Sequence, residues 1–599
     1  MADYNNTRDS SLPDPASPGF LDGDTITLQN GSKFSRQSGR WEPVRFQTVG
    51  QQSKEVPVFV IPSAQGVEIL GPRMSAAMSK DADDASPRQP DLSFGGTHLE
   101  TRGQWLMQPG QTLTAGAGGT GTGSITISSR ADFPGWRISL NAGTTNSKIN
   151  VERTPLTGAT AVAATDVIWL LIDVPAWAAG MEATLYLSSV TNWTKFGFAG
   201  FGANQLQEGI NEIPLLASDF TMSGGEVWPF IPAIVRLQVK NTAGAGGEIF
   251  LGGIRIAKAM PMMQITIDDG YADLIRYAYP IMAKNGLRGV AYVVTGWIDL
   301  QEAGSFVDNT MVRWRDLKML YDAGWDICPH TSGHKNAVSY SEVGTITSGG
   351  TAATFTSGGT SGDVTSNYVV GGRLVFDKPR GISLWSVGND ASKLCTITGV
   401  VAGAVTVEYV SMRNATFTVS RHEWDSIDSV VMGAASGGAV TLRACYNAID
   451  YADDVSIGRN RIIEMGMPRA AHWFAWPRGE FSKPIRNALL AAGFYLRGTT
   501  EWYTGNVFGG RLGARDFPSW SAGGARTLAN LQTFVGKLQA MGGIGSFFEH
   551  HINPTAMPIN TTPTDFAAKI EWLAAQVYAG ALRCPTNTDL ERSWRESYA

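Results

Sequence analysis

Two carboxylates stand side by side in this chain at the end of an apolar run. Met262, Met263, Ile265 and Ile267 lead into Asp268 and Asp269, and Gly270 follows. A buried strand that stops at two acids delivers them to the carboxyl edge of a sheet, where α/β folds place their chemistry. Histidine is scarce, with seven in 599 residues. Five of these (His330, His334, His472, His550 and His551) fall on or just after apolar runs of the second half. His330 and His334 are four residues apart, and on a helical turn that spacing sets both imidazoles on one face, an arrangement suited to a transition metal. Asp269, at an equivalent strand end, can supply the third, hard ligand. Two imidazoles and one carboxylate leave positions open for water and substrate. Such a metal lowers the pKa of a water and polarises a carbonyl, and Asp268, beside the ligand but off the metal, is placed to take the water's proton.

The elements that must position these residues come from an alternation of strand and helix. The run 262–267 is followed by a helical stretch over 273–285, a strand at 289–294, a helix over 312–323 and a short strand at 325–328. The pattern resumes with a helix over 448–465, a strand at 472–476, a helix over 483–492 and a strand at 494–497. A helix over 527–541, a strand at 545–552 and a helix over 563–578 complete it. This predicts a distorted (β/α) barrel or parallel sheet, with residues 259–341 and 444–599 as its two parts. Residues 342–443 break the alternation. They are rich in Gly, Thr, Ser and Val, with their own strand pattern, and predict an inserted β-barrel or sandwich rather than a loop. The insertion follows His334, so it is expected to leave from the active-site face and to wall the substrate groove.

Residues 91–258 carry many short apolar runs separated by Gly, Asn, Thr and Pro, the pattern of a β-sandwich of jelly-roll type. Trp193, Trp228 and Phe230 there could stack on sugar rings, but packing in the core or at its rim is the preferred expectation, as aromatics are usually buried. Residues 1–90 are mostly polar and suit an extended attachment arm with a small β segment.

At this length one core does not suffice and several domains are expected. A net charge of -5 excludes a general attraction to nucleic acid or anionic membrane. No apolar run is long enough to span a membrane, and no basic segment followed by an apolar core opens the sequence. Four scattered cysteines predict neither a disulfide framework nor a Cys-based zinc site.

Taken together, the motifs resemble those of the NodB-homology polysaccharide deacetylases, carbohydrate esterase family 4. The family's Thr-Phe-Asp-Asp-Gly strand end appears as Thr266-Ile267-Asp268-Asp269-Gly270, and its His-Ser/Thr-x-x-His motif as His330-Thr331-Ser332-Gly333-His334. Its aromatic Pro-x-Gly run appears as Phe474-Ala475-Trp476-Pro477-Arg478-Gly479, and its strand ending in His as Phe547-Phe548-Glu549-His550-His551. The resemblance implies that Asp268 is the base and that Asp269, His330 and His334 hold a divalent metal, usually Zn2+. It makes His550, in preference to His551, the general acid, and the backbone N–H of Arg478 an oxyanion donor. The implied reaction removes acetyl groups from an acetylated sugar polymer. One departure stands out: many members carry an Arg where this chain has Ala475, so either Arg478 or Arg515 substitutes in ordering the base, or the base is held differently. Asp516 and Trp520 loosely suggest the family's fourth motif. His472 is expected to be a groove or packing residue, and His98 and His422 to have no catalytic part.

The whole assembly also resembles bacteriophage tail fibre and tailspike proteins. That implies attachment to a tail or baseplate protein through the arm, a homotrimer, and a place in the virion tail. A secreted or surface deacetylase with an accessory carbohydrate-binding module, and a glycan-binding protein of impaired activity, are the alternatives.

Overall fold

The computed structural model describes residues 104–591, apart from short internal segments of which the longest are 357–366 and 499–515. Before residue 104 only strand pairings are described: a four-stranded sheet of Asp3–Asn5, Thr25–Thr27, Lys33–Gln37 and Arg40–Pro43, and a hairpin of Val60–Ser63 with Gly66–Ile69. The expected attachment role of residues 1–90 lies outside the described residues.

Two six-stranded antiparallel sheets follow. Ile168, Leu170 and Ile172 of the strand Val167–Ala176 share a dry interior with Leu185, Leu187, Val235 and Leu237 of the other sheet, as period-two alternation requires. The opposite face of that strand is buried too. Val167, Trp169 and Leu171, with Phe250, pack into the core of the parallel-strand domain, which is why this stretch reads as a continuous apolar run rather than an alternating one. Each such large side chain, fully buried, contributes about 1.5–3 kcal/mol, so the contact ties the sandwich firmly to its neighbour.

Among the described residues, eight strands make up the two main sheets of the parallel-strand domain: β1 (Pro261–Asp269), β2 (Val290–Val293), β3 (Asp326–Pro329), β4 (Trp473–Ala475), β5 (Tyr495–Arg497), β6 (Asp516–Phe517), β7 (Trp520–Ser521) and β8 (Gly543–Glu549). Hydrogen bonds join them as one sheet of order β3-β2-β1-β8-β7 and a second of order β4-β5-β6. The strands thus follow the cyclic order of a barrel, in two parallel sheets rather than one closed cylinder. Side-chain bonds cross the seam between β3 and β4: Cys328 donates to the carbonyl of Ala470 (3.1 Å), and His330 Nδ1 meets the carbonyl of Ala475 (2.8 Å). In register, Asp269 lies opposite Val293, and Val293 opposite Pro329, so Asp269 ends level with the residue before His330.

The first helix departs from expectation. It opens as a wide π-turn, Leu274–Ala278, before the α-helix Tyr279–Lys284. Pro280 has no N–H to give the ladder and crowds the carbonyl four residues back, which a widened turn relieves. A helix at Thr295–Glu302, not expected from the sequence, also lines this end of the sheet. Helices at Ala448–Glu464, Lys483–Ala491, Leu528–Met541 and Pro563–Tyr578 follow the later part of the alternation.

Between Ser341–Ile346 and Val440–Ala444, which pair antiparallel, the chain forms two five-stranded sheets around a core that includes Leu384, Ile397, Trp424 and Leu442. Entry and exit lie side by side, with the N–H of Tyr340 donating to the carbonyl of Ala444 (2.8 Å). All four cysteines are free thiols. Among the described residues no helix is long and apolar enough to cross a membrane.

Candidate active site

Asp268, Asp269, His330, His334 and His550 all sit at or just beyond the carboxyl ends of β1, β3 and β8. Asp269 Oδ1 lies 3.3 Å from His330 Nε2 and 3.1 Å from His334 Nε2. One ligand atom from each of the three residues falls within 4.8 Å of the others. Asp269 and His330 are buried, whereas the His334 side chain is 21% exposed and forms the open side of the group.

The loop between the two histidines is not the helical turn that their spacing suggested. Thr331 and His334 both adopt left-handed backbone, with φ of 64° and 55°. Such a conformation is costly for a β-branched residue and persists only where the surroundings impose it. Asp454 imposes it here, accepting from the Ser332 N–H (3.0 Å) and hydroxyl (2.5 Å) while pairing with Lys335 (2.8 Å). Asp454 belongs to the helix Ala448–Glu464, so the second half of the split domain shapes the loop between the two histidines of the first. Asp269 and Arg478 are left-handed as well (φ 71° and 62°), making four of the seven such non-glycine residues among those described. Backbone strain gathers at this site, as it does at functional centres. Gly270 (φ 82°) stands in the left-handed region that favours glycine, and a Cβ there would also crowd Val293 at 3.2 Å.

A test of whether these residues fit a cation comes from hydrogen-bond roles. A carbonyl only accepts, so the bond from His330 Nδ1 to Ala475 puts the proton on Nδ1 and leaves a lone pair on Nε2 of the neutral ring. That lone pair faces Asp269 Oδ1, itself buried and without a hydrogen-bond donor. Two acceptors aimed at each other are unfavourable unless a cation stands between them, so the donor set fits a divalent metal. Tyr271 supports Asp269 from the side: burial, the Asp269 charge and a hydrogen bond to Asp269 push its phenol up to about 12, so it stays a donor.

Asp268 has a different partner. Its Oδ2 pairs with Arg497 Nη2 while its Oδ1 is buried with no hydrogen-bond partner. The guanidinium lies over the rings of Tyr292 (4.8 Å) and Phe548 (5.0 Å). Arg497, from the end of β5, thus makes the contact with Asp268 that was expected of Arg478 or Arg515. Arg478 is solvent-exposed and makes no ion pair with Asp268, and Arg515 lies outside the described residues. The cue was present in the sequence: 494–497 is an apolar run ending in a charge, the same pattern as β1. Truncating Arg497 to Ala leaves a buried carboxylate alone and is expected to cost about 3–5 kcal/mol in denaturant unfolding of this domain. Adding Asp268→Asn should recover part of that loss, and a double variant no more stable than Arg497→Ala would contradict the pairing.

His550 and His551 face different partners. His550 feels the charges of Asp268, Asp269, His330 and Arg497, and burial lowers its pKa. His551 stacks on Tyr271 (3.5 Å between ring centres) and its Nδ1 lies 3.1 Å from Asp273. Beside them Glu549 is buried against Lys569 (3.2 Å). His472, at the opposite end of β4, bonds to Glu591 (2.7 Å), a packing position. His422 sits in the inserted sandwich against Trp424, and His98 lies outside the described residues. Asp516 and Trp520 fall on β6 and β7.

Residues 256–348 match the family model described as polysaccharide deacetylase. This supports a polysaccharide deacetylase domain. The matched stretch contains Asp268, Asp269, His330 and His334, whereas Arg478, Arg497 and His550 lie beyond it. Several solved structures resemble parts of the chain. A family 4 carbohydrate esterase from Streptomyces lividans in complex with acetate is 11% identical and covers 54% of this chain and 92% of its own, at a TM-score of 0.26. A de-N-acetylase from Aggregatibacter actinomycetemcomitans is 14% identical, covering 45% and 74%, at 0.23. A xylan-binding module, CBM15, is 16% identical, covering 26% of this chain and 97% of its own, at 0.20. No curated protein matches the chain.

Proposed function

We propose that the deacetylase domain removes acetyl groups from an acetylated surface polysaccharide by metal-assisted hydrolysis, releasing acetate. The observation that carries this reading is the division of labour between adjacent carboxylates: Asp269 faces two imidazoles, and Asp268 is clamped by Arg497 with one oxygen left open. A divalent cation held by Asp269, His330 and His334, zinc being the expected one, would supply Lewis acidity toward the acetyl carbonyl and a more acidic water. Asp268 takes the proton of the attacking water, and Arg497 holds that carboxylate in place. The N–H of Arg478 stabilises the oxyanion as the acetyl carbon becomes tetrahedral. His550 gives its proton to the departing nitrogen or oxygen, the acyl bond breaks, and acetate leaves. Acetate release from acetylated glycans, before and after metal chelation, tests the reading; none from any such glycan by the metal-loaded protein would sink it. Ala475 is the departure that favours the alternative reading of an impaired glycan binder, and the pairing of Arg497 with Asp268 supports an active enzyme.

The acid role has a pH signature. His550 must be protonated to act, and burial favours its neutral form, so its acid form is lost as pH rises through a value below the ordinary imidazole pKa. The alkaline limb of kcat is therefore expected below the ordinary histidine range, and His550→Gln should abolish that limb along with most activity. A limb that persists in the variant would assign the acid elsewhere.

We further propose that the inserted sandwich walls the substrate groove. It leaves the domain shortly after His334, and near its stem Asn336 donates to Glu480 (3.2 Å) and Arg443 to Ser339 (3.0 Å). Because Tyr340 and Ala444 are adjacent, joining residue 340 to 445 should leave a folded enzyme. The shortened chain is expected to lose discrimination among polymers while still releasing acetate from a small ester; an unchanged substrate range would rule the wall out. For the setting, we propose a virion tail, with attachment through residues 1–90 and three identical chains. The polar arm ahead of two β modules supports it, and co-purification with virions separates it from a secreted or surface enzyme.

A further inference from the structure

The sandwich carries an aromatic group on its solvent face that neither its core nor the catalytic domain uses. On the strand Met181–Ser188, Leu185 and Leu187 point inward and are fully buried, so Tyr186 between them points outward. Tyr186 is stacked on Phe198 (5.7 Å between ring centres) and approached by Phe196 (5.9 Å) and Trp193 (6.2 Å). All four rings are half-buried. Aromatics in such numbers on the outside of a sheet are unusual, because burying them inside is favourable. Trp193 is held there at a backbone cost, being left-handed (φ 56°) in the turn between two strands, with the Arg236 guanidinium 4.1 Å from its ring centre. Trp228 and Phe230, by contrast, stack on each other (4.8 Å) against the sandwich core, as expected for packing residues.

Polar groups continue the same face. Arg236 lies opposite Tyr186 in register and pairs with Glu152 on the next strand. One row along, Thr184 lies opposite Gln238, whose amide donates to Asn150 (2.8 Å). Lys240 is 3.6 Å from Glu182 in the row after that, where Lys148 adds one further positive charge. The face therefore offers aromatic surface, hydroxyls and amides, with its two central cations each beside an anion. This chemistry suits neither a polyanion nor a lipid surface. Sugar rings match it: their C–H faces lie on aromatic rings, and their hydroxyls both donate and accept.

We infer that the outer face around Trp193, Tyr186, Phe198 and Arg236 binds a neutral glycan chain, apart from the catalytic groove. It stands on residues that take no part in hydrolysis and goes beyond the deacetylase reading. Such a second hold would keep the enzyme on a polymer between cleavages of successive acetyl groups and add avidity.

The test is affinity electrophoresis of the full chain in native gels cast with glycol chitin, soluble xylan or hydroxyethyl cellulose. At least one of these should retard the wild type. Asp268→Asn should be retarded equally, Trp193→Ala should lose at least tenfold in affinity, and Trp193→Phe should fall between, with thermal unfolding of the variants compared to show that the sandwich is folded. No retardation in any gel, or full retardation of folded Trp193→Ala, would overturn the inference; the second result would point to the catalytic groove or a protein partner instead. Retardation without acetate release would leave this surface standing and remove the deacetylase reading, and the reverse result would do the opposite.

Discussion

Asp268→Asn is expected to slow acetate release by about 10²–10⁴-fold, the usual scale of a lost general base, while the protein still binds one divalent metal per chain. An amide of the same shape cannot accept the water's proton. It does not touch the three metal-facing groups, which come from Asp269, His330 and His334. The substitution also leaves Arg497, 1% exposed, without its counter-ion, so some loss of stability should accompany the loss of rate. Contact of that guanidinium with Tyr292 and Phe548 should moderate the loss. Acetate assays, metal analysis and unfolding on the same sample separate the three effects. Activity within tenfold of wild type, with metal bound, would show that Asp268 is not the base.

Asp269→Asn is expected to do more, abolishing both metal binding and activity. The carboxylate is the only anionic member of the group, and both imidazoles face it. Replaced by an amide, it offers a neutral oxygen to a dication and loses most of the electrostatic attraction. Chelation of the wild type should produce the same inactive state, reversed by added zinc, whereas the variant should not recover at matched metal concentration. Elemental analysis after gel filtration reads the metal directly. A variant that keeps stoichiometric metal would move the site elsewhere.

Much of the candidate site could be read from residue order because each part sits at or just beyond a strand end. The runs before Asp268 and His550 carry apolar residues on both faces, Met262 beside Met263 and Phe547 beside Phe548, which suits a strand buried on both sides, and the residue that ends such a run lies at the sheet's edge. The inserted sandwich was equally visible, since a change from helical spacing to short Gly- and Thr-rich runs reflects a change in what is buried. Local spacing misled at His330 and His334. Four residues suggested a helical turn, but the turn that converges the rings is left-handed, and Asp454 holds it from 122 residues away.

What the amino-acid sequence by itself determined was the list of groups able to do the chemistry and the edge of the fold where they emerge. That follows from burial pattern and strand period, which are local. Tertiary structure alone decided which group serves which. Asp268 and Asp269 are neighbours in the chain, yet one meets Arg497 from β5 and the other meets the histidines after β3. His550 and His551 divide in the same way, one toward the carboxylates and the other toward Tyr271 and Asp273. Adjacent residues at a strand end diverge, and their partners arrive from strands far away in the chain, so only the packed sheet brings the opposite charges together.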